Sequence, residues 1–189
     1  VVLLIRALTP ALAAGCTMVL KPAPQSALIT AAVVAELHAV LNPLGDKGRG
    51  VVNLVSESGH EVAQALVTSP EVDVISFTGS NATGARIMAA AAPTMKKLSL
   101  ELGGKAACLV FDDIDVERVA GQLAAAATII SGQQCTAARR VLVNASKFDA
   151  MKQALSRALL SLVVAPGDAP GAQVGPLIDA ASRERVAAQ

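Results

Sequence analysis

The chain has 189 residues, enough for one or two domains with a sizeable apolar core. Hydrophobic residues make up 53% of it, and 16 basic residues against 15 acidic ones leave a net charge of +1. This charge gives no support to nucleic-acid binding or membrane-surface attraction, and the 2% aromatic content argues against a base-stacking platform.

The cysteines and the chain ends indicate the cellular setting. Cys16, Cys108 and Cys135 form no CxxC motif, and an odd number cannot all pair. Cys16 and Cys108 lie in apolar, strand-like runs, which predicts buried and unreactive thiols. Because no export signal and no run of about 20 apolar residues is evident, we expect a cytoplasmic protein with no membrane span. Neither end carries a helix cap or stop signal, which indicates a segment of a longer chain.

The first half of the sequence alternates strands and helices. An opening helical pattern is followed by strands predicted at 17–20, 51–55, 72–77 and 97–102, and by helices at 26–41, at 60–67 and from Ser80 onward. The segment "KPAPQ" is expected to be extended, because proline disfavours a helical residue before it. Strand–helix alternation at this spacing predicts an α/β fold with a doubly wound parallel sheet of the Rossmann type.

The second half resumes the alternation after Gly103-Gly104, which is the predicted domain boundary. "AACLVF" is predicted to be a buried strand, and Asp115 to cap the next helix. A strand in "RRVLVN" and a helix capped by Ser146 follow.

Two segments that follow strands are candidates for binding an anion or ligand. "FTGSNATG" places Gly79 and Ser80 between a strand and a helix, where N–H groups, a hydroxyl and the helix dipole can meet a phosphate. It is neither GxGxxG nor a P-loop, and an ordinary serine cap fits equally well. Lys21 follows the first strand, where ligands gather in open α/β sheets, although a solvated loop lysine is the alternative.

Two further residues are candidates for chemistry. In "KLSLELGGK" the alternation places Glu101 on the face opposite the leucines, at a strand end, where a carboxylate could act as a general base or simply face solvent. In "SGQQCTAARR" Cys135 follows an apolar helix in a turn-like segment near Arg139 and Arg140, and positive charge favours the nucleophilic thiolate. Structural roles are expected for the two arginines.

The segments "VLKPAPQSA", "SFTGSNATG", "LSLELGGK" and "GQQCTAARR" together resemble the aldehyde dehydrogenase superfamily. Their order matches, as does the spacing between the carboxylate and the thiol, and "VGPLID" resembles a further family element. The resemblance covers essentially the whole chain. It implies that residues 1–102 are the C-terminal part of an NAD(P)-binding domain and that residues 103–189 are the N-terminal part of a catalytic domain.

The resemblance implies a covalent mechanism. Cys135 would attack an aldehyde to give a thiohemiacetal, and hydride would pass to NAD or NADP to leave a thioester. Glu101 would then activate water, so that hydrolysis releases a carboxylic acid. The backbone N–H of Cys135 would help to hold the developing oxyanion.

The resemblance also implies how the cofactor is held. Lys21 would contact the adenosine ribose and Ser80 the pyrophosphate, while Gly79 and Gly103 would allow close approach. The family often has a ribose-binding glutamate at the position of Pro24, which cannot accept those hydrogen bonds. We therefore expect that NADP could serve as well as NAD.

Alternative functions remain open at this point. A related enzyme could pass the acyl group to coenzyme A, although Glu101 favours hydrolysis. A non-catalytic dinucleotide-binding fragment is a second alternative. We expect a homo-oligomeric parent, either a dimer or a tetramer, that takes a small-molecule aldehyde and has no nucleic-acid, membrane or metal partner. The isolated segment is expected to be nearly inactive, because family elements lie outside it.

Overall fold

The computed structural model describes residues 1–189. The chain divides into two compact units, Val1–Leu102 and Gly103–Gln189. The division falls beside the glycine pair that the sequence analysis singled out. The cofactor-binding and catalytic roles of the two parts stay predictions.

The first unit alternates helices and short strands along its whole length. The elements are α1 Val2–Ala13, β1 Met18–Leu20, α2 Ala27–Leu41, β2 Val52–Leu54, α3 Glu61–Thr68, β3 Val74–Gly79, α4 Asn81–Ala91 and β4 Lys97–Leu102. Short 3₁₀ turns occupy Pro24–Ser26, Asn42–Lys47 and Ala92–Thr94. The segment "KPAPQ" is therefore only partly extended, because its second proline begins the first of these turns.

The second unit continues the alternation and ends in a helix. The elements are β5 Ala106–Val110, α5 Val116–Thr128, β6 Ala138–Val143, α6 Phe148–Leu160 and α7 Ala180–Ala187. A further 3₁₀ turn lies at Ala145–Lys147, and an irregular turn at Ile129–Gly132 follows α5.

The six strands form three separate parallel pairs: β1 with β2, β3 with β4, and β5 with β6. Within each pair a helix joins the two strands, as a parallel connection requires. The predicted α/β class with parallel strands is confirmed. Because paired parallel strands run the same way, the residues that follow both strands emerge at the same edge of the pair.

A close helix–strand contact fixes the geometry at the end of β4. Gly84 of α4 is buried, and a Cβ built on it would lie 2.8 Å from Cδ2 of Leu102. The alternation predicted for β4 is confirmed, since its leucines are partly buried and its polar residues are exposed. The polar face of β4 is thus turned away from the helix.

The core of the second unit lies between α5, α6 and the β5–β6 pair. Ala120 and Leu123 of α5 pack with Met151 and Ala154 of α6, and apolar side chains of both strands cover this cluster. Small alanines let the two helices approach closely. This packing holds α5, the helix that leads into the Cys135 segment.

Helix caps were predicted with mixed success. Asp115 caps α5, because its carboxylate accepts hydrogen bonds from the N–H groups of Glu117 and Arg118 at 3.0 and 3.2 Å. Ser146 does not cap α6, contrary to the prediction. A 3₁₀ turn precedes that helix, and Asn144 caps the turn by accepting from the Ser146 N–H at 3.0 Å.

The prediction of buried, unreactive thiols was wrong for Cys16. This residue is exposed in the loop between α1 and β1, after Gly15 turns the chain with φ 76°. The apolar run to which Cys16 was assigned becomes a strand only from Met18. Cys108 lies partly buried in β5 against the helical core, as expected of a packing residue.

By length and composition alone, one helical stretch is long and apolar enough to span a membrane, contrary to the expectation from the sequence. The helical stretch Pro24–Lys47 has 24 residues, and its most apolar 18-residue window has a mean hydropathy of 1.6 and is 11% buried. It is not one continuous α-helix, because α2 has 15 residues and Gly45 breaks the following turn with φ 59°. At about 1.5 Å per residue, α2 is shorter than the ~30 Å apolar layer of a bilayer.

The turn after α2 contains a glycine, Gly48, whose replacement should destabilise the protein. Gly48 is buried, and a Cβ placed on it would lie 2.0 Å from the carbonyl oxygen of Leu41, a backbone atom that cannot swing aside. We expect Gly48→Ala to cost more than about 1 kcal/mol of folding free energy. Gly121 of α5 is the matched control, because it is exposed with open space around it. Gly121→Ala should instead stabilise by about 0.5–1 kcal/mol through helix propensity. Thermal unfolding of both variants of the complete protein measures this, and equal midpoints would contradict it.

Candidate active site

The loop after β3 places Gly79 and Ser80 at a helix N-terminus. Ser80 caps α4, since its Oγ accepts from the Thr83 N–H at 3.2 Å and lies 2.9 Å from Thr83 Oγ1. Its hydroxyl is exposed at the positive end of an 11-residue helix. A Cβ on Gly79 would lie 2.4 Å from Cζ of Phe77, so a larger residue here would require that ring to move. The loop is suited to an anion, and the pyrophosphate contact of Ser80 stays a prediction.

Glu101 lies beside this loop on the adjacent strand. It pairs in register with Thr78 of β3, so the two strands end together. Its side chain is 54% exposed, and Oε1 lies 3.9 Å from Nη2 of Arg6 in α1. An ion pair as exposed and as long as this contributes less than about 1 kcal/mol. The carboxylate is therefore held loosely and is open to solvent.

Lys21 lies at the carboxyl end of β1, where it pairs with a residue that the sequence analysis did not single out. Its Nζ is 3.6 Å from Oε1 of Glu57, which follows β2, and it donates to the Pro22 carbonyl at 3.2 Å. The Glu57 side chain is 9% exposed. It accepts from the N–H groups of Val62 at 2.8 Å and Ala63 at 3.1 Å, in the first turn of α3.

The contacts of Glu57 determine its charge. Burial of the carboxylate raises its pKa, but the hydrogen bonds from Val62 and Ala63 and the ammonium of Lys21 outweigh burial. The net result is a pKa below the ordinary value of a glutamate. Glu57 is thus an anion fixed beside Lys21. A single sequence gives little sign of this, because "SESGHE" contains two glutamates and no pattern tells which one turns inward.

The Cys135 segment follows α5 through an unusual turn. Ile130, Ser131 and Gly132 have φ values of 50°, 54° and 72°, so three consecutive residues adopt the left-handed conformation. Two of them carry side chains that rarely tolerate it, which indicates that tertiary contacts hold the turn. Cys135 is exposed three residues later and belongs to no disulfide.

Those contacts come from the segment "VGPLID". The Ser131 hydroxyl donates to the Gly175 carbonyl at 2.9 Å, and Gln133 Oε1 accepts from the Ile178 N–H at 2.9 Å. Two side chains just before Cys135 are therefore fixed to a stretch more than forty residues away in sequence. The sequence analysis identified both segments but not the bonds between them, because such bonds depend on the fold.

The arginines near Cys135 have structural contacts, as expected. Arg139 donates through Nη2 to the Gly132 carbonyl and, at a long 3.5 Å, through Nη1 to the Ala127 carbonyl. Arg140 Nε donates to the Lys105 carbonyl at 3.0 Å. Arg139 therefore secures the turn before the cysteine. No histidine serves Cys135 within its unit, because both histidines of the chain lie in the first unit.

The predicted site residues fall into three places. Lys21 lies at the β1–β2 edge, and Gly79, Ser80 and Glu101 lie at the β3–β4 edge. Cys135 and Gly103 belong to the second unit, with Gly103 in the exposed loop that follows β4. The structure brings Ser80 and Glu101 to neighbouring strand ends, and the meeting of Glu101 with Cys135 stays a prediction.

Comparison with known proteins agrees with these features. A model of the aldehyde dehydrogenase family matches residues 1–189. The mitochondrial succinate-semialdehyde dehydrogenase of Arabidopsis thaliana is 45% identical over 183 residues, which are 96% of this chain and 33% of that protein.

Solved structures are also similar. A mutant of aldehyde dehydrogenase C from Pseudomonas syringae, in complex with NAD+ and octanal, superposes with a TM-score of 0.82 at 36% identity, covering 95% of this chain and 36% of that one. An NADP-dependent enzyme of Escherichia coli gives a TM-score of 0.81 at 39% identity, covering 94% of this chain and 36% of that one. The chain thus spans about a third of the length of the relatives it matches.

The lowered pKa of Glu57 predicts an acid-dependent loss of stability. Between its folded and unfolded pKa values the folded state binds fewer protons, so stability rises with pH there. The contribution is fully present above about pH 4.5, the ordinary glutamate value, and is lost as pH falls through the folded value. We expect Glu57→Gln to be less stable than the wild type at pH 7, with the difference narrowing below pH 4.5. Urea unfolding of the complete protein at several pH values measures the difference in free energy of unfolding. A difference that does not change with pH would contradict the lowered pKa of Glu57.

Proposed function

This chain belongs to the aldehyde dehydrogenase family, and we propose that the complete protein oxidises an aldehyde to a carboxylic acid with NAD or NADP as hydride acceptor. The observation that carries the proposal is Cys135, an exposed thiol on a turn that several tertiary bonds hold in place. A nucleophilic cysteine must be accessible to its substrate, and its position must be fixed. Cys135 meets both conditions, because its thiol is exposed and its neighbours hold the loop.

The first unit offers groups that suit a dinucleotide. The Ser80 hydroxyl and the N-terminus of α4 fit a pyrophosphate, since both favour negative charge. Lys21 and Glu57, at the carboxyl edge of the β1–β2 pair, fit the hydroxyls of a ribose. When bound, the nicotinamide cofactor supplies the hydride acceptor of the reaction.

The acylation half of the reaction depends on Cys135. Its thiolate attacks the carbonyl carbon of the aldehyde, a carbon–sulfur bond forms, and the carbonyl oxygen becomes an oxyanion that the Cys135 N–H helps to hold. Loss of hydride from the same carbon restores the carbonyl and leaves a thioester on the sulfur. Ser131 and Gln133 keep the turn in one conformation, so little ordering is needed at the moment of attack.

The deacylation half depends on Glu101. Its solvent-open carboxylate takes a proton from a water molecule, and the resulting hydroxide attacks the thioester carbon. The carbon–sulfur bond then breaks, the acid leaves, and the sulfur departs as thiolate, ready for another cycle. The weak pairing with Arg6 leaves Glu101 free to move toward the water.

We propose that the isolated chain does not perform this reaction. Large apolar side chains stand open to solvent on both units, among them Leu28 at 90%, Met95 at 89% and Leu160 at 85% exposure. Exposed apolar area on this scale needs further protein to cover it. The activity therefore belongs to the complete protein, in which these surfaces meet their partners.

Replacing the proposed nucleophile should abolish turnover. We expect Cys135→Ala in the complete protein to reduce aldehyde-dependent NAD(P)H formation to background, with octanal and succinate semialdehyde as the first aldehydes tried. Cys16→Ala is the matched control, because Cys16 is also an exposed thiol outside any disulfide. It should retain wild-type activity. Full activity in Cys135→Ala would disprove the covalent mechanism.

Replacing the proposed base should separate the two half-reactions. Glu101→Gln should still release about one equivalent of NAD(P)H in a burst, while the steady-state rate falls about 10²–10⁴-fold. Glu117→Gln is the control, since Glu117 is an exposed glutamate that also pairs with an arginine, Arg157. Rapid-mixing absorbance at 340 nm, the NAD(P)H band, records both phases. An unchanged steady-state rate in Glu101→Gln would remove it from the mechanism.

A further inference from the structure

Glu57 and Lys21 form an ion pair at the carboxyl edge of the β1–β2 pair, with side chains that are 9% and 24% exposed. β1 and β2 run parallel and end in register at Leu20 and Leu54, so the segments that follow them emerge side by side. Lys21 is the first residue after β1, and Glu57 follows β2 within the next loop. In open α/β sheets this edge is where nucleotides bind, and an acidic residue after the second strand commonly takes the ribose 2′-hydroxyl.

The bonding capacity of the pair is only partly used. A carboxylate offers about four acceptor positions. Glu57 uses three of them for the N–H groups of Val62 and Ala63 and for Lys21. The ammonium of Lys21 has three donors, of which the Pro22 carbonyl and Glu57 take two. One acceptor position, on Oε2 of Glu57, and one donor of Lys21 remain, which is the number that two hydroxyls of a ribose need.

The same pair is unsuited to a phosphate at that position. Glu57 is held by the first turn of α3 and cannot swing away without leaving two N–H groups unpaired. A 2′-phosphate would therefore meet a fixed anion, and Lys21 is already largely neutralised by its partner. Like charges brought together at a binding site weaken binding of the wrong ligand, and so act chiefly on selectivity.

We propose that Glu57 makes this protein select NAD over NADP, by accepting a hydroxyl of the adenosine ribose and repelling a 2′-phosphate. The proposal rests on the proposed function, which requires that the protein bind a dinucleotide at all. It reverses the expectation drawn from Pro24, since the carboxylate missing from the first strand's loop is supplied from the loop after β2.

The first experiment uses the wild-type complete protein and measures binding alone. Isothermal titration with ADP-ribose and with 2′-phospho-ADP-ribose compares two ligands that differ only at the ribose in question. We expect the phosphorylated ligand to bind at least about tenfold more weakly. Equal or tighter binding of the phosphorylated ligand would overturn the proposal. Failure of both ligands to bind would instead count against the proposed function.

The second experiment removes the charge. Glu57→Gln should reduce the preference for NAD+ over NADP+, measured as the ratio of the two Kd values, by at least about tenfold. Glu61→Gln is the matched control, because Glu61 is an exposed glutamate in the first turn of α3, four residues from Glu57, and does not pair with Lys21. Its ratio should stay within about twofold of the wild type. An unchanged ratio in Glu57→Gln would overturn the proposal, and if that variant fails to fold, the ADP-ribose comparison decides alone.

Discussion

Parallel pairing of strands is the constraint on which the candidate site depends. Two parallel strands must be joined by a crossover, and both then deliver their following residues to one edge. In the β1–β2 pair this brings Lys21 to Glu57, and in the β3–β4 pair it brings the Ser80 cap beside Glu101. In both cases the two residues come from separate segments of the chain. The proximity of these charged and polar groups is therefore a direct consequence of strand direction, and an antiparallel pairing of the same segments would separate them.

The thiol is positioned in another way. Cys135 lies beyond a helix, on a turn with three left-handed residues, and not at a strand end. Such a turn is costly for residues with side chains, and it persists here because Ser131 and Gln133 bond to a distant segment and Arg139 bonds to the turn itself. The neighbours of the cysteine carry the structural bonds, which leaves the sulfur exposed and free of any structural role. A cysteine can thus lie on a loop whose conformation is nevertheless fixed by its neighbours.

Sequence patterns correctly predicted features that depend only on neighbouring residues, such as the alternation of a strand and the cap of a helix. The alternation in β4 placed Glu101 on the polar face, and a serine between strand and helix proved to be the cap of α4. Predictions were wrong where an element begins one or two residues away from the predicted position. Cys16 lies just before its strand and is exposed. Asn144, two residues before Ser146, takes the capping role that was assigned to the serine. Glu57 was missed because its importance comes from a pairing across two strands, and no spacing in the sequence encodes it. Residue types and periodicity therefore identify candidate site residues, whereas the residues with which they pair are known only once the fold is known.

The central claim is that one thiol and one carboxylate, each placed by its own unit, act on the same carbon atom. The most direct measurement is a crystal structure of the complete protein with the oxidised cofactor bound. The account predicts that the Sγ of Cys135 and the carboxylate of Glu101 face one cleft beside the nicotinamide ring, separated by roughly the width of one bound water molecule. A structure in which the two groups open onto different surfaces, or in which the ring lies far from the sulfur, would contradict it.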